Sequence, residues 1–403
     1  MAKMNWLDNL FKKKRIFMDY ASATPVLEEV RRAMEKYWSA DFYNASAIYG
    51  EGVQLKKELE GYRSKVALEI GAGSSDIIWT SGGTESVNLA ILGVFEEAKK
   101  TIAKPHIIIS AIEHPAVMKA AQEALRRGGE LDVIDVNEEG VVSLEQLKKL
   151  IKKSTVLVSV TFASGEIGTI EPISSIGRLV REERKKRGGN YPLLHTDASQ
   201  AVSYIDTTLE KLQSDLITLD GAKIYGPKGV GILAIRKWVK LHPLMFGGSQ
   251  EKGLRAGTAN IPLIAGFTKA LEITARDRVN ESKRLEYLRR TFIERVMKRL
   301  PQVLVNGGSV SHLPNIVSLS VPGTLSEFLL LKLDKEGLLV SVGTACSLDE
   351  KTSGSPVIVA LGKDDLKEST LRFSFGRGTT QKDIERATEI FCQAAQNLVK
   401  YEK

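Results

Sequence analysis

Cysteine is scarce in this chain of 403 residues, which contains two, Cys346 and Cys392. Two cysteines far apart in unlike contexts do not form the disulfide framework of a small secreted domain, and they favour a reducing, cytoplasmic compartment. The five histidines do not fall at the spacing typical of metal ligands. We therefore expect no metal site.

Long apolar runs are missing as well. No stretch approaches the roughly 18 apolar residues that a membrane-spanning helix needs, and the basic cluster near the N-terminus is not followed by the apolar core of a secretory signal. The net charge of +8 would suit an acidic partner such as RNA. Because scattered surface lysine explains that charge equally well, we expect no direct binding of nucleic acid or membrane.

Short apolar runs alternate with amphipathic stretches between about residues 60 and 235. The predicted strands are DIIWT, HIIIS, LDVIDV, TVLVSVTF, YPLLHTD, DLITLD and GVGILAI. Apolar strands joined by helical crossovers indicate an α/β fold with a mostly parallel, seven-stranded sheet covered on both faces. We predict a large domain over residues 16–262, and a smaller α+β domain over 263–403 that includes the N-terminal segment 1–15.

Chemically useful residues follow several of these strands. In open α/β sheets ligands bind beyond the carboxyl ends of the strands. The glycine-rich turn SGGTES follows the first strand and opens a helix near Thr84, and the backbone N–H groups and dipole of a helix start suit a phosphate. His114, Asp197 and Lys223 follow three later strands. Each has an ordinary explanation alone, but four such groups at one sheet edge indicate a site.

This set of groups is what pyridoxal 5'-phosphate requires. The cofactor needs an amine that bonds to its aldehyde, an anion site, a carboxylate at its pyridine nitrogen and a flat group over its ring. Asp197 would hold the ring proton through a charge-assisted hydrogen bond. Burial would lower the pKa of Lys223 and make it a nucleophile. Neither a dinucleotide fingerprint nor a Walker loop competes for the phosphate role.

Cys346 stands at the start of a loop rich in glycine, serine and charge, SVGTACSLDEKTSGSP. A thiol on such a loop can act as a nucleophile at one site and carry its product elsewhere. A half-buried thiol without a chemical role is the alternative interpretation from the residues alone.

Nine motifs, in order along nearly the whole chain, resemble the cysteine desulfurases. They are MDYASATPV, TSGGTESVNLAI, EHPAV, EIG, HTDASQAV, KIYGPKGVG, GLRAGTAN, GTACS and LRFSFGR. That family belongs to the class V aminotransferases, which have the fold-type I architecture of pyridoxal-phosphate enzymes. The resemblance implies a homodimer that takes L-cysteine and passes its sulfur to an acceptor protein, either an iron–sulfur scaffold or a tRNA-thiolation enzyme.

The resemblance also assigns roles to residues. For the cofactor it implies Lys223 as the Schiff-base lysine, His114 stacked on the ring and assisting proton transfer, Asp197 at the pyridine nitrogen, Gln200 at the ring hydroxyl, and Gly83 and Thr84 at the phosphate with Thr258 of the other subunit. For the substrate it implies carboxylate binding by Asn44 and Arg372. Cys346 would attack the substrate sulfur and become a persulfide as alanine leaves.

Three positions depart from the family pattern. The family usually has a serine and a histidine just before the lysine, where this chain has Asp220 and Ala222. An asparagine near the ring hydroxyl is replaced at Gly165. Asp220 accepts hydrogen bonds but, when ionised, donates none. Each hydrogen bond lost to a charged group costs roughly 1.5–3 kcal/mol, so we expect weaker cofactor binding unless Asp220 turns away.

Two alternatives stay open from the sequence. One keeps the cofactor and changes the reaction to that of a selenocysteine lyase or a transaminase; the thiol of Cys346 argues against transamination, which does not need it. The other is a cofactor-poor family member that serves as a binding partner, and the changes at Asp220, Ala222 and Gly165 are its support.

Overall fold

The computed structural model of the protein describes residues 15–308, 311–343 and 354–399. Its strands are β1 (Ile16–Phe17), β2 (Ile77–Thr80), β3 (His106–Ser110), β4 (Glu130–Ile134), β5 (Thr155–Ser159), β6 (Leu193–Asp197), β7 (Leu216–Asp220), β8 (Gly231–Ile235), β9 (Leu304–Asn306), β10 (Ile316–Ser320), β11 (Leu338–Leu339) and β12 (Thr370–Ser374).

The α-helices alternate with these strands through the first part of the chain. They are α1 (Glu28–Glu35), α2 (Gly50–Ile70), α3 (Gly83–Ala98), α4 (Pro115–Arg126), α5 (Leu144–Leu150), α6 (Ile173–Arg187), α7 (Leu209–Leu212), α8 (Ile261–Arg299), α9 (Ser326–Lys335), α10 (Pro356–Ala360) and α11 (Gln381–Val399). Within the described residues, no helix combines the length and apolar character needed to cross a membrane.

Seven strands form one sheet in the order β2-β8-β7-β6-β5-β3-β4. Neighbours from β7 to β4 pair in parallel, while β8 is antiparallel to both β2 and β7. All seven strands come from the apolar runs identified in the sequence. The prediction of an α/β fold with a mostly parallel seven-stranded sheet is therefore confirmed.

Helices cover both faces of this sheet because successive side chains of a strand point to opposite sides. On β3, Ile107 and Ile109 pack into a cluster with residues of α3 and α4. Ile108, between them, packs into a second cluster with residues of α2, α6 and the first half of α8. Strands buried on both faces need apolar residues at every position, which explains the continuous apolar runs.

A second, smaller core lies around the antiparallel sheet β12-β10-β9. Four phenylalanines form its centre: the ring of Phe292 on α8 lies 4.9 Å from that of Phe373 and 5.7 Å from that of Phe375, and Phe391 lies 5.1 Å from Phe373. The parallel pair of β1 and β11 joins the start of the described chain to this unit. Aromatic pairs at these distances favour tilted and edge-to-face contacts of the kind found here.

We propose that the two cores mark two domains that meet within α8, between Ile273 and Leu285, whereas the sequence suggests a division near residue 262. Supporting this, residues from Ile261 to Ile273 of α8 pack into the core of the large sheet. Residues from Leu285 to Val296 of the same helix pack into the smaller core. The long helix therefore belongs to both units and connects them.

Replacing Phe292 tests the smaller core. Phe292 is fully buried, and Phe292→Ala should lower the free energy of unfolding by about 3–5 kcal/mol, the usual cost of emptying an aromatic core position. Tyr287→Ala on the same helix is the control, because 58% of Tyr287 is exposed. Urea unfolding followed by circular dichroism compares them. Equal losses in both variants would contradict the assignment of Phe292 to a core.

Candidate active site

A cavity of about 260 Å³ opens at the carboxyl ends of the parallel strands. Most of the residues that the sequence singled out line it: Gly83, Thr84, His114, Gly165, Asp197, Gln200, Asp220, Lys223 and Arg372. Strand order explains why residues from position 83 to position 223 meet there, since the turns that carry them leave the same edge of the large sheet. Arg372 reaches the cavity from β12 of the smaller sheet.

Lys223 closes a short 3₁₀ turn, Gly221–Lys223, directly after β7. Its Nζ donates hydrogen bonds to the carbonyl oxygens of Ala21, at 2.8 Å, and Ser22, at 2.6 Å. Burial lowers the pKa of Lys223 and outweighs the carboxylate of Asp220, which acts in the opposite direction. A lowered pKa increases the fraction of neutral amine, which is the nucleophilic form.

His114 caps the start of α4. Its Nδ1 accepts a hydrogen bond from the N–H of Ala116 at 3.1 Å, so the proton of the neutral ring belongs on Nε2. Burial lowers the pKa of His114 and outweighs the carboxylates of Asp197 and Asp220, which raise it, while the positive charge of Lys223 lowers it. The site therefore contains a neutral imidazole with an N–H donor at Nε2.

Asp197 ends β6, and its Oδ1 accepts a hydrogen bond from the N–H of Ser199 at 3.0 Å. The Nε2 atom of Gln200 donates to the carbonyl of Ala21 at 2.9 Å. A Cβ atom on Gly165 would lie 3.2 Å from Cγ of Gln200. The missing side chain at position 165 thus leaves space that Gln200 occupies.

Asp220 connects the lysine turn to the start of α3. Its Oδ2 accepts a hydrogen bond from the N–H of Gly83 at 2.9 Å, and its Oδ1 accepts one from the N–H of Ala222 at 2.8 Å. Gly82 precedes the helix with a φ of 146°, a conformation that favours glycine. The carboxylate lies where a helix dipole stabilises negative charge. Asp220 therefore points toward the helix start in this structure and does not turn away from it.

Arg372 is buried on β12 and already has partners. Its Nη2 donates to Oδ1 of Asp19 at 2.7 Å and to Oγ of Ser22 at 2.8 Å, and its Nη1 donates to the carbonyl of Gly165 at 3.0 Å. In the described part of the chain its Nε has no hydrogen-bond partner. Asp19 and Ser22 lie in the motif MDYASATPV, and no role was predicted for them from the sequence.

Glu113 is a further residue of this cavity that the sequence analysis missed. Its Oε1 accepts hydrogen bonds from Oγ of Ser110 at 2.6 Å and from the N–H of Thr161 at 2.7 Å. Burial raises the pKa of Glu113 to about 8, and the charge of Asp197 acts in the same direction. The sequence places Glu113 between the end of β3 and His114, and this position could have identified it as a residue of the site.

Asn44 and Thr258 do not line the cavity that contains Lys223. Both line a separate cavity of about 700 Å³, together with Arg63, Glu251 and Arg255. Asn44 is exposed, and its Oδ1 accepts a hydrogen bond from the N–H of Ser46 at 2.9 Å. The substrate role of Asn44 and the cofactor role of Thr258 stay predictions.

The two cysteines differ in what the structure describes. Cys346 lies outside the described residues. Cys392 is buried in the smaller core, and burial raises its pKa to about 11.

Over residues 15–308, 311–343 and 354–399, no cluster of His, Cys, Asp and Glu could hold a metal ion.

A model of the family "Aminotransferase class-V" matches residues 16–387. The chain belongs to this family. It is 40% identical over 388 residues to the "Cysteine desulfurase IscS" of Dictyoglomus turgidum, covering 96% of each chain. It also superimposes on a solved "NifS-like protein" with a TM-score of 0.86 at 32% identity, covering 96% of this chain and 99% of the other.

A third relative is the solved structure "SspA in complex with cysteine", with a TM-score of 0.77 at 29% identity, which covers 89% of this chain and 98% of the other. The predicted family, a cysteine desulfurase within the class V aminotransferases, is therefore confirmed. So is the prediction of an enzyme that depends on pyridoxal phosphate.

The cavity fits the ring end of the cofactor better than the phosphate end. Lys223 offers an amine, Asp197 a carboxylate and His114 a flat ring in one cavity. At the phosphate end, Gly83 and Thr84 offer the start of a helix, but the Asp220 carboxylate accepts a hydrogen bond from the Gly83 amide. The residues of the cavity therefore fit pyridoxal phosphate, except that the Asp220 carboxylate occupies a donor that its phosphate would need.

The raised pKa of Glu113 predicts a stability effect. Between its ordinary value of 4.5 and about 8, the folded chain holds a proton that the unfolded chain has released, so the free energy of unfolding falls as pH rises. Glu113→Gln removes this dependence. Relative to wild type, the variant should gain up to roughly 1.4 kcal/mol per pH unit across the window.

Urea unfolding from pH 4.5 to pH 8 measures the difference between the two proteins. Glu294→Gln, at an exposed position on α8, is the matched control and should leave the pH dependence unchanged. Parallel stability curves for wild type and Glu113→Gln would show that Glu113 is ionised throughout.

Proposed function

We propose that this chain is a cysteine desulfurase that converts L-cysteine to L-alanine and leaves the sulfur as a persulfide on Cys346. One observation carries the proposal: the Lys223 amine, with its lowered pKa, shares a cavity with Asp197, His114 and Arg372. The 40% identity to a curated cysteine desulfurase supports the same reaction.

Pyridoxal phosphate, when bound, supplies an aldehyde and an electron-withdrawing ring. The residues of this chain do the rest. Lys223 would hold the cofactor at its aldehyde through the neutral amine, and Asp197 would keep the proton on the pyridine nitrogen. Because His114 is neutral with its proton on Nε2, it is suited to cover the ring and to move protons at the substrate.

L-Cysteine is the substrate that we propose, and the solved relative SspA in complex with cysteine supports it. The guanidinium of Arg372 suits a carboxylate because its donors form a fork. Asp19 and Ser22 hold that fork in the cavity wall at 2.7 and 2.8 Å from Nη2. A substrate carboxylate would bind beside them at Nε or replace one of them.

The sulfur step needs a thiol that can reach the substrate, and we assign it to Cys346. Cys392 is unsuited because it is buried in the smaller core with its pKa raised to about 11. A thiolate, not a thiol, is the nucleophile.

We further propose that the persulfide passes to an iron–sulfur scaffold or a tRNA-thiolation enzyme. A cytoplasmic location stays a prediction from the low cysteine content.

The Asp220 carboxylate at the phosphate end of the cavity favours the cofactor-poor alternative that the sequence left open, whereas the family and the curated relatives favour the pyridoxal-phosphate enzyme. Absorbance separates the two candidates: a band near the visible edge that borohydride fixes to the protein, and that Lys223→Ala abolishes, requires bound cofactor. Without that band after addition of pyridoxal phosphate, the enzyme assignment fails.

Removing one thiol tests the desulfurase reaction. Purified protein with bound cofactor should release alanine from L-cysteine, and sulfide when a reductant is present. Cys346→Ala should lose roughly 100-fold or more of this turnover while it keeps the cofactor band. Cys392→Ala is the matched control and should retain turnover. Unchanged turnover in Cys346→Ala would show that another group takes the sulfur.

We also propose a homodimer in which Thr258 of one subunit completes the phosphate site of the other. Supporting this, Thr258 does not line the cavity of its own Lys223. Large apolar side chains within three positions in the chain of residues that line the separate cavity are exposed: Phe42 by 68%, Ile48 by 97% and Phe246 by 76%. Large exposed apolar side chains favour a protein interface where they form one patch, and the dimer that we propose would cover them.

A charge at this face tests the dimer. Phe246→Asp should shift the protein from dimer to monomer in sedimentation velocity, because a buried unpaired charge is costly. The same variant should bind pyridoxal phosphate more weakly through loss of the partner's Thr258. Phe328→Asp is the matched control, since Phe328 is 61% exposed on α9 in the smaller unit. A Phe246→Asp protein that stays dimeric would rule out this face.

A further inference from the structure

Asp220 places a carboxylate in the part of the cavity where the cofactor's phosphate would sit. Its Oδ2 accepts a hydrogen bond from the N–H of Gly83, the first residue of α3, at 2.9 Å. The first N–H groups of a helix have no partner within the helix and are ready donors for an anion. In this chain an aspartate of the chain itself uses one of them.

The second oxygen of Asp220 fixes the side chain in this position. Oδ1 accepts a hydrogen bond from the N–H of Ala222 at 2.8 Å, which makes Asp220 the cap of the turn that carries Lys223. A Cβ on Gly83 would lie 3.1 Å from Oδ2, so the carboxylate lies directly against the helix start. Both oxygens are thus held by backbone donors of two different elements.

A phosphate at this helix start would meet the carboxylate at close range. Two anions on neighbouring donors repel each other, and Asp220 has no donor of its own to offer when ionised. Ala222 adds none from its side chain. The Gly83 amide can therefore serve either the carboxylate or the phosphate, but not both.

We propose that Asp220 is a built-in anion at the phosphate site, so that the phosphate of the cofactor adds little to its binding affinity in this chain. Loading then depends mainly on Lys223, Asp197 and the ring, and the carboxylate must leave the Gly83 amide before a phosphate takes its place. The inference rests on the cofactor requirement and not on the desulfurase reaction.

Two ligands that differ by one phosphate isolate this effect. Full-length protein stripped of cofactor is titrated with pyridoxal 5'-phosphate and with pyridoxal, and the Lys223-dependent absorbance band gives both dissociation constants. For wild type the two constants should differ by less than about tenfold. Asp220→Ser should tighten pyridoxal phosphate by roughly 10- to 100-fold, through removal of a charge and addition of a donor. Pyridoxal should change much less, because Asp220 acts on its binding only through the pKa of Lys223.

Further variants sharpen the test. Adding Ala222→His to Asp220→Ser should tighten pyridoxal phosphate again by supplying another donor. Asp365→Ser makes the same change at an exposed position and should alter neither constant. Inorganic phosphate should compete with pyridoxal phosphate for Asp220→Ser more strongly than for wild type.

A gain of affinity cannot arise from misfolding, so the expected result is not confused with damage to the protein. The proposal is overturned if wild type already binds pyridoxal phosphate far more tightly than pyridoxal, or if Asp220→Ser leaves its affinity unchanged or weaker. It also fails if pyridoxal tightens equally. None of these readouts needs L-cysteine or Cys346, so a failure of the proposed reaction would be seen separately.

Discussion

The low solvation of the Lys223 amine is the constraint on which the rest of the site depends. A lysine in water is protonated and unreactive toward an aldehyde near neutral pH. Here the sheet edge and the loop of Ala21 and Ser22 surround the amine, and burial lowers its pKa. The parallel sheet makes this surrounding possible, because its strand ends place turns from distant parts of the chain around one cavity.

The charges in the cavity are arranged around that amine. Lys223 and Arg372 face three carboxylates, those of Asp19, Asp197 and Asp220, each of which acts on the pKa of Lys223. Glu113 is more deeply buried. Burial raises its pKa, the charge of Asp197 raises it further, and the protonated carboxyl group adds no negative charge to the site. Without a cofactor phosphate the site already contains enough negative charge to compensate its cations, and this is the physical reason why a further anion gains little there.

The sequence predicted the parts of the site that follow strands. Buried strands need unbroken apolar runs, so their ends are visible as the first polar residues, and His114, Asp197 and Lys223 were found in that way. The contacts of Arg372 with Asp19 and of Asp220 with Gly83 join residues 353 and 137 positions apart. Such pairs depend on strand order and side-chain direction, which a single sequence does not encode in any local pattern.

The same limitation explains why the sequence did not predict the protonation state of Glu113 or the orientation of Asp220. Whether a carboxyl group is ionised depends on how completely neighbouring elements bury it, and the sequence places Glu113 in a turn where either state is compatible with the residues around it. For Asp220 the sequence offered two orientations, toward the phosphate site or away from it. The Gly83 amide decides between them, because an unpaired N–H at a helix start attracts the nearest anion.

A stabilised helix start and a strong phosphate site are competing uses of the same donor. In a chain with a neutral residue at position 220, the first amide of α3 would rely on water or on the cofactor for a partner. In this chain Asp220 satisfies that amide in the folded protein itself, and it also caps the turn that carries Lys223. The aspartate thus stabilises the cofactor-free fold at the donor that the phosphate of the cofactor would otherwise use.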